Sequence, residues 1–330
     1  EQEAIELALT RLLALDYDNY KVIAVNDRST DRTGEIMDRA EAASGGRLKI
    51  VHIRELPPGW MGKAHAMWTA ALQSDAEWLL FTDADVMFRP DCLRRAVGYV
   101  DSQRADHLVL LPRIIMKRPG EKMMLAFFQL LFVFGHRPWK VADPKTKDHM
   151  GVGAFNLVRR TAYEAVGTYE ALRFDVLDDM KLGKVVKNAG FRQHVVFGDD
   201  LIQIRWARGA RGVVNNLTKN FFAVMSYQTW RALLACAGMA VLNVLPFLGV
   251  LFAPGWQRLP YALTLVSMFF LYAGIWRQVE IHPWYFFVHP ISTALVIYTM
   301  LRSTFLTLWN GGVEWRGTFY PLEQLRKGLV

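Results

Sequence analysis

The amino-acid sequence predicts an α/β domain with a mostly parallel sheet flanked by helices, followed by transmembrane helices. Strand and helix signals alternate over residues 1–120. Residues 1–220 contain 32 Lys and Arg with 28 Asp and Glu, whereas residues 221–330 contain only 7 and 3 and have no Asp. Long uncharged runs follow this fall in charge. We therefore expect a soluble domain at 1–220, a membrane region at 221–310 and a cytoplasmic tail at 311–330.

Short apolar and β-branched runs predict the strands of the first domain, and amphipathic segments between them predict its helices. The predicted strands are 21–26, 48–53, 78–82 and 107–111, and the predicted helices are 3–15, 33–43, 63–73 and 90–100. Strands separated by helices of this length form βαβ units with parallel strands. Ligands of such sheets bind at the carboxyl ends of the strands. Functional residues are therefore expected where the strands end.

Carboxylates follow two of the predicted strands. Asp27 comes after the first strand, and Asp83 and Asp85 come after the third. Two carboxylates at this spacing can point into one crevice. Hard divalent cations such as Mg²⁺ and Mn²⁺ prefer carboxylate and phosphate oxygens. Asp83 and Asp85 are thus candidate metal ligands, and the alternative is that they cap the helix that follows.

An acidic pair and an Arg-Trp pair lie further along the chain. Asp178 and Asp179 begin a predicted helix at 178–188, where they could supply a general base or simply interact with the helix dipole. Arg205 could bind phosphate while Trp206 stacks on a sugar or lipid. A membrane anchor is the equal alternative for this pair. Neither a P-loop nor a dinucleotide-binding glycine motif is present in the sequence, so a diphosphate would have to be bound by metal, Arg or Lys.

Three runs predict the membrane region. Residues 232–253 and 259–276 are uncharged, while 283–309 contains His289-Pro290 and Arg302. A 22-residue helix is about 33 Å long, enough for a hydrocarbon core of about 30 Å. Basic residues precede the first run and occur again in the tail, which places both in the cytoplasm. We therefore expect two or three spans: with both ends cytoplasmic, one run is re-entrant or interfacial, and the run with the His-Pro break is the first candidate.

Composition excludes several classes. Two cysteines, Cys92 and Cys236, cannot form a disulfide framework or a four-cysteine zinc site. The net charge of +8 divides equally between the two parts and forms no dense basic stripe, so we expect no nucleic-acid partner.

A shorter apolar run at 123–135, about 20 Å long as a helix, is too short to span a bilayer. It is expected to lie on the membrane surface or to form a buried helix.

Taken together, these motifs resemble those of the membrane-bound family-2 glycosyltransferases, the group that includes ceramide-glucosyltransferase-like and bacterial lipid-modifying members. The resemblance covers residues 9–320 and depends on the order and spacing of several motifs. The matching segments are Asp27-Arg28-Ser29-Thr30-Asp31, Gly62-Lys63-Ala64-His65-Ala66, Asp83-Ala84-Asp85, residues 151–160, Asp178-Asp179-Met180-Lys181-Leu182-Gly183, Arg205-Trp206 and Trp315-Arg316-Gly317.

The resemblance implies a GT-A fold and inverting transfer of a hexose from a nucleotide-diphosphate sugar, most simply a UDP-sugar. It also implies a membrane lipid or polyprenoid-type hydroxyl acceptor, an Mg²⁺ or Mn²⁺ cofactor, and a location in a bacterial inner membrane with the catalytic domain in the cytoplasm. By the same resemblance, Asp179 would be the catalytic base beside its neighbour Asp178, and Asp85 and Asp83 would bind the metal ion. Asp27 and Lys63 would contact the nucleotide, with Asp83 also at the ribose. Arg205 would stabilise the leaving diphosphate, and Trp206 would line the floor of the acceptor site.

The sequence departs from the family pattern at two places. Ile202 occupies the position of a Gln that is typical of processive polysaccharide synthases, which favours transfer of a single sugar. The chain also starts directly in a predicted helix, so we expect a first strand to be missing. The alternatives are a processive polysaccharide synthase and, in another class, a non-catalytic nucleotide-sugar-binding membrane scaffold.

Overall fold

The structure is a computed structural model that describes the backbone of residues 2–329 and the side chains of residues 5–276 and 280–329. The chain forms two compact units. The first is built around the segment up to Arg113 together with His136–Arg205, and the second around Ile114–Gly135 together with Trp206–Lys327. The two units are described separately below.

The helices occur in the following order along the chain. They are α1 (Gln2–Leu13), α2 (Thr33–Ala43), α3 (Gly62–Ala71), α4 (Cys92–Gln103), α5 (Pro119–His136), α6 (Arg160–Ala165), α7 (Asp178–Asn188), α8 (Gly209–Val224), α9 (Thr229–Asn243), α10 (Leu245–Phe252), α11 (Arg258–Val279), α12 (His289–Trp309) and α13 (Leu322–Lys327).

The strands are β1 (Val22–Asp27), β2 (Leu48–Ile53), β3 (Trp78–Phe81), β4 (Val86–Phe88), β5 (His107–Leu111), β6 (Arg113–Ile114), β7 (Asn156–Arg159), β8 (Gln193–Phe197), β9 (Ile202–Ile204), β10 (Gly312–Trp315) and β11 (Thr318–Pro321). The predicted bounds of α2, β2, β5 and α7 are confirmed. The other predicted elements are present with ends that differ by at most three residues.

The first unit has an α/β architecture, as predicted, but its sheets are mixed. Strands β1 and β2 pair in parallel, and β5 pairs in parallel with β8. Strand β7 lies between β3 and β5 and is antiparallel to both, while β4 and β9 form another antiparallel pair. The expectation of a mostly parallel sheet is corrected here. Strands β4, β7 and β9 do not follow a βαβ crossover, so the alternation of elements over residues 1–120 did not reveal their direction.

Helices α1 and α2 cover the parallel pair β1–β2. Their core contains Ile5, Leu9, Met37 and Leu48, each at most 5% exposed. The same strand pair ends at Asp27, so this core fixes the position of the first predicted ligand-binding carboxylate. The four-stranded sheet β3-β7-β5-β8 fixes the others, because Asp83 follows β3 and the loop before β7 lies beside it.

The second unit contains the helices that could cross a membrane. Two helical segments in the described part of the chain, Gly255–Trp276 and Pro283–Trp309, are long and apolar enough to cross a bilayer. A third span would be formed by α9 and α10 together, which are bent by 40° at their junction. This agrees with the predicted two or three spans.

The break lies in the first run, and not at His289-Pro290 as expected. Pro246 lies in the first turn of α10. Because proline has no backbone N–H, it cannot donate the hydrogen bond that would continue α9, and α9 ends at Asn243. Pro290 is equally in the first turn of α12, but the residues before it, Pro283–Val288, form a 3₁₀ helix that leads into α12. Proline is tolerated at such a helix start.

Two further helices belong to the second unit. The apolar run at 123–135 lies in α5, whose residues 124–127 are buried, which favours the buried-helix alternative for this half of the helix. Helix α8 packs on α12, where the backbone N–H of Phe222 donates to Ser303 Oγ at 3.0 Å. Residues 206–220 therefore group with the membrane helices, although the sequence placed the division at residue 220. The tail contains the hairpin β10–β11 and helix α13.

Candidate functional site

Lys63 joins the acidic residues of two predicted motifs in the first unit. Its Nζ lies 3.0 Å from Asp83 Oδ1 and 3.7 Å from Asp178 Oδ1. Lys63 is in the first turn of α3, Asp83 follows β3, and Asp178 is the first residue of α7. Three elements that are distant in sequence therefore converge on one ammonium group. This places Lys63, Asp83, Asp178 and the adjacent Asp179 in one cluster.

Burial and charge act against each other on this cluster. Burial is the main cause that raises the pKa of the Asp178 carboxyl to about 7; the positive charge of Lys63 opposes the shift, and the negative charges of Asp179, Asp83 and Asp175 add to it. Burial lowers the pKa of Lys63, but the attraction of Asp178, Asp83 and Asp179 outweighs it and the net pKa is raised. The lysine therefore stays charged. The Asp178 carboxyl, whose side chain is only 3% exposed, takes up a proton near neutral pH.

Two glycines let a loop pass between these side chains. A Cβ on Gly151 would overlap the backbone carbonyl of Asp179, and a Cβ on Gly153 would overlap the Asp83 carboxylate and lie 3.0 Å from Lys63 Nζ. The Gly153 carbonyl also accepts a hydrogen bond from the Asp83 backbone N–H at 2.8 Å. We call residues 150–154 the glycine loop. It lies in contact with both Asp83 and the start of α7.

Replacing Gly151 by Ala is expected to lower kcat about 10- to 100-fold, because the new methyl group pushes on backbone that cannot rotate away and displaces Asp179. The measurement is initial-rate kinetics with protein of matched folded fraction. Gly98→Ala is the control: its Cβ meets nothing within 4 Å in α4, so kcat should be unchanged and the free energy of unfolding should rise by about 0.5–1 kcal/mol. Equal kcat for both variants would contradict the expected displacement.

Asp179 is the half-buried member of the acidic pair. Its Oδ1 accepts a hydrogen bond from the Met180 backbone N–H at 2.7 Å. The preceding turn is held by Asp175, whose Oδ1 accepts the Leu177 N–H at 2.9 Å and whose Oδ2 lies 3.4 Å from Lys181 Nζ. Asp178 points into the cluster and Asp179 is the more accessible carboxylate of the two. This arrangement suits Asp179 better than Asp178 for contact with a substrate.

Asp27 ends β1 and is held in place by its neighbour. Arg28 Nε donates to Asp27 Oδ1 at 2.8 Å, and the second guanidinium nitrogen donates to Oδ2 at 3.1 Å. Gly62, the first residue of α3, allows this pair to approach, since a Cβ there would lie 2.5 Å from Asp27 Oδ2. The predicted nucleotide contact therefore lies beside the start of the helix that carries Lys63. Sequence reasoning missed Arg28 as its partner, although the residue is part of the quoted motif.

Asp85 and Arg205 flank an antiparallel strand pair. Strands β4 and β9 are in register with Val86 opposite Ile204, so Asp85 and Arg205 are the next residues at the same end of the pair. Asp85 is exposed and Arg205 is half-buried. The register thus brings together two residues that are separated by 120 positions in sequence and that were predicted to act on the same diphosphate.

Trp206 belongs to the second unit. Its ring stacks on Phe128 of α5, with ring centroids 5.3 Å apart and planes inclined by 12°. Asn216 Nδ2 of α8 donates to the Trp206 carbonyl at 2.5 Å. Glu121 holds the same region together, because its carboxylate accepts the N–H groups of Lys117 and Gly209, both at 2.7 Å. The indole is therefore oriented by α5 and α8.

Asp83 and Asp85 are the carboxylates predicted to bind a metal ion. Among the residues that the structure describes, no group of three His, Cys, Asp or Glu side chains lies close enough to hold an ion by protein ligands alone. Asp83 is half-buried and lies 3.0 Å from Lys63 Nζ, and Asp85 is exposed to solvent. Mg²⁺ commonly takes one or two carboxylates and completes its shell with substrate phosphates and water. The donor set fits an ion of that kind, with Asp85 as the better of the two predicted ligands.

Comparison with known proteins adds a family match and one curated relative. The model for Glycosyl transferase family 2 matches residues 1–167, about half of the chain. The 4,4'-diaponeurosporenoate glycosyltransferase of Staphylococcus haemolyticus (strain JCSC1435) is 21% identical over 201 residues, which cover 60% of this chain and 52% of the relative. The chain thus spans about half the length of the curated relatives it matches.

S. aureus TarS is among the solved structures to which the chain is similar. It is 13% identical with a TM-score of 0.43, covering 89% of this chain and 52% of TarS. S. aureus TarS 1–349 in complex with UDP-GlcNAc is also 13% identical with a TM-score of 0.43, covering 97% of this chain and 93% of that fragment.

Proposed function

Since the chain belongs to glycosyl transferase family 2 and has the GT-A fold of that family, we propose that it transfers a hexose from a UDP-sugar, with inversion, to a hydroxyl of a membrane lipid or polyprenoid-type acceptor. The observation that carries this proposal is the cluster of Lys63, Asp83, Asp178 and Asp179 beside the glycine loop. Carboxylates at the strand ends can accept hydrogen bonds from the hydroxyl groups of a sugar donor, and the Lys63 ammonium beside them can pair with its phosphate.

The donor is bound by groups at the ends of β1 and β3 in this proposal. Asp27, already oriented by Arg28, accepts hydrogen bonds from the nucleotide base. Asp83 faces the ribose, and Lys63 contributes positive charge to the diphosphate. Arg205 interacts with the leaving diphosphate as its charge develops.

The chemical step forms one bond and breaks another. The acceptor oxygen attacks the anomeric carbon from the side opposite the diphosphate, while the bond from that carbon to the phosphate oxygen breaks and the electron pair leaves with UDP. Asp179 takes the acceptor's proton. Lys63 and the Asp178 carboxyl hold the start of α7 and thereby the position of Asp179.

A divalent cation is part of the proposal. Asp85, with Asp83 in support, would hold Mg²⁺ or Mn²⁺, which would stabilise negative charge on the departing diphosphate. We expect EDTA to abolish transfer and added Mg²⁺ or Mn²⁺ to restore it, measured as label incorporated from a UDP-sugar. If EDTA-treated protein retained the full rate of sugar transfer, the metal would be excluded from the proposal. Lys63 and Arg205 would then be the cations proposed to stabilise the diphosphate.

Two observations support a lipid acceptor. The second unit provides two membrane-spanning candidates, or three if the bent pair is one span, so that an acceptor could be presented without leaving the bilayer. The curated relative is named for transfer to 4,4'-diaponeurosporenoate. Trp206, stacked on Phe128, would offer an aromatic surface to the acceptor.

The direct test uses membranes that contain the protein and a panel of radiolabelled UDP-sugars, with lipid extraction and mass spectrometry of the products. We expect a single glycolipid that is absent from membranes with Asp179→Asn. A ladder of polymer lengths would show a processive polysaccharide synthase instead. Binding of UDP without transfer to any lipid or water would show a non-catalytic scaffold.

A further inference from the structure

A buried polar network lies beneath the glycine loop. His107, Asn156 and Gln193 are 0%, 1% and 1% exposed and come from the adjacent strands β5, β7 and β8. Buried polar side chains in a sheet core are costly unless every donor and acceptor is satisfied. None of the three takes part in the reaction proposed above, so their presence requires another reason.

The backbone fixes the orientation of both amide side chains. Gln193 Oε1 accepts the Met150 N–H at 3.0 Å, and Gln193 Nε2 donates to the Gly183 carbonyl at 3.0 Å. Asn156 Nδ2 donates to the Val152 carbonyl at 2.9 Å. Because a backbone N–H can only donate and a carbonyl can only accept, neither amide can be reversed without losing these bonds.

These orientations determine the tautomer of His107. The second N–H of Gln193 Nε2 points to His107 Nδ1 at 2.6 Å, so Nδ1 must be the acceptor. His107 Nε2 then carries the hydrogen and donates to Asn156 Oδ1 at 3.1 Å. Burial lowers the pKa of His107 to about 4, against a small opposing effect of the Asn156 hydrogen bond. The neutral imidazole therefore links the two amides in one defined arrangement.

The network ends on the backbone around the candidate site. Two of its anchors, Met150 and Val152, are the residues on either side of Gly151, and the third, Gly183, is in α7. Gly183 also packs directly on this loop, since a Cβ there would overlap the Met150 carbonyl. The imidazole and the two amides thus span the gap between the loop and the helix that begins with the acidic pair.

We propose that His107, Asn156 and Gln193 are positioning residues that set the separation between the glycine loop and α7 and so hold Asp179 at the acceptor. This inference rests on the proposed function of Asp179. The three side chains contact neither substrate. They act through the Met150, Val152 and Gly183 backbone groups and through the contact of Gly151 with Asp179.

The test compares His107→Phe with His107→Gln. Phe removes both hydrogen-bonding positions of the ring, whereas Gln supplies one donor and one acceptor. We expect kcat to fall about 10- to 100-fold for Phe and to recover to within about threefold for Gln. The dissociation constant of UDP should change less than about threefold in both, because Asp27, Lys63 and Asp83 make none of the network's hydrogen bonds, which go to the backbone of Met150, Val152 and Gly183.

His194→Phe is the matched control. His194 follows Gln193 in β8, and its Nδ1 lies 3.1 Å from Tyr99 Oη of α4. The same substitution is thereby made one residue away, at a histidine that bonds α4 and not the loop. Its kcat and UDP affinity should match those of the wild type, which separates the role of the network from the general loss of a sheet histidine.

Three outcomes would overturn the inference. One is a folded His107→Phe variant with wild-type kcat. Another is a parallel loss of kcat and UDP affinity that Gln does not restore, which would make the network purely structural. If His107→Phe does not fold, Gln193→Met carries the same test, and wild-type kcat in that variant is the third. Asp179→Asn is measured alongside: wild-type turnover there would refute the base role of Asp179 on which this inference rests, whereas wild-type kcat in His107→Phe alone would refute the role of the network.

Discussion

Asp179→Asn is expected to lower kcat about 10²- to 10⁴-fold while the dissociation constant of UDP stays within about threefold of wild type. The substitution preserves the shape of the side chain and removes only the ability to accept a proton from the acceptor. Asp179 begins α7 next to the buried Asp178 and is the more exposed carboxylate of the pair. The measurement is initial-rate kinetics in membranes at saturating donor, with UDP binding measured separately.

Asp101→Asn is the control for this prediction. Asp101 is an exposed residue of α4, and the same change there should leave kcat unaltered. Asp178→Asn separates the two acidic neighbours: as a residue that holds the start of α7, it should reduce kcat less than Asp179→Asn does. Equal turnover by wild type and Asp179→Asn would remove Asp179 from the role of base.

Lys63→Met is expected to lower the free energy of unfolding by about 3–5 kcal/mol at pH 8, because it leaves a buried carboxylate without its cation. Asp178 and Lys63 have side chains that are only 3% and 20% exposed. Activity should fall as well, since Lys63 contacts Asp83 at 3.0 Å in the proposed donor site. The measurement is thermal or denaturant unfolding of the detergent-solubilised protein at several pH values.

The loss of stability should grow as the pH rises. The pKa of Asp178 is raised in the folded protein, so this carboxyl destabilises the fold once the pH exceeds its ordinary unfolded pKa, and the penalty increases up to the folded pKa of about 7. Without Lys63 the folded pKa rises further and the penalty continues above pH 7. The pKa of Lys63 is itself raised, so its stabilising effect is present in wild type throughout this range.

The double variant Lys63→Met with Asp178→Asn is the control for the buried charge. Removing both partners should recover most of the lost stability, because the buried carboxylate is gone and the remaining partner of Lys63, Asp83, has a side chain that is 37% exposed to solvent. Activity should not recover, since Lys63 is still absent from the proposed donor site. A single Lys63→Met variant with the same unfolding free energy at pH 5.5 and pH 8 would refute the proposed coupling between Lys63 and Asp178.

The amino-acid sequence predicted individual helices and strands well, because their signals lie in residues that are close together along the chain. Helices α2 and α7 and strands β2 and β5 have their predicted bounds, because hydrophobic periodicity and end signals are properties of neighbouring residues. The candidate spans, two or three in number, followed from the length of uncharged runs in the same way. The position of the break did not, because two prolines at helix starts, Pro246 and Pro290, are alike in sequence and differ in what precedes them.

By itself, the sequence determined the chemical inventory of this protein: an α/β domain, apolar helices after it, and acidic motifs at the strand ends. Only the tertiary structure decided which of these groups meet. It placed Lys63 between Asp83 and Asp178, directed β7 antiparallel to its neighbours, and joined His107 to the glycine loop through Asn156 and Gln193. Such contacts join segments tens of residues apart, so their distances depend on how strands and helices pack and not on the spacing of residues along the chain.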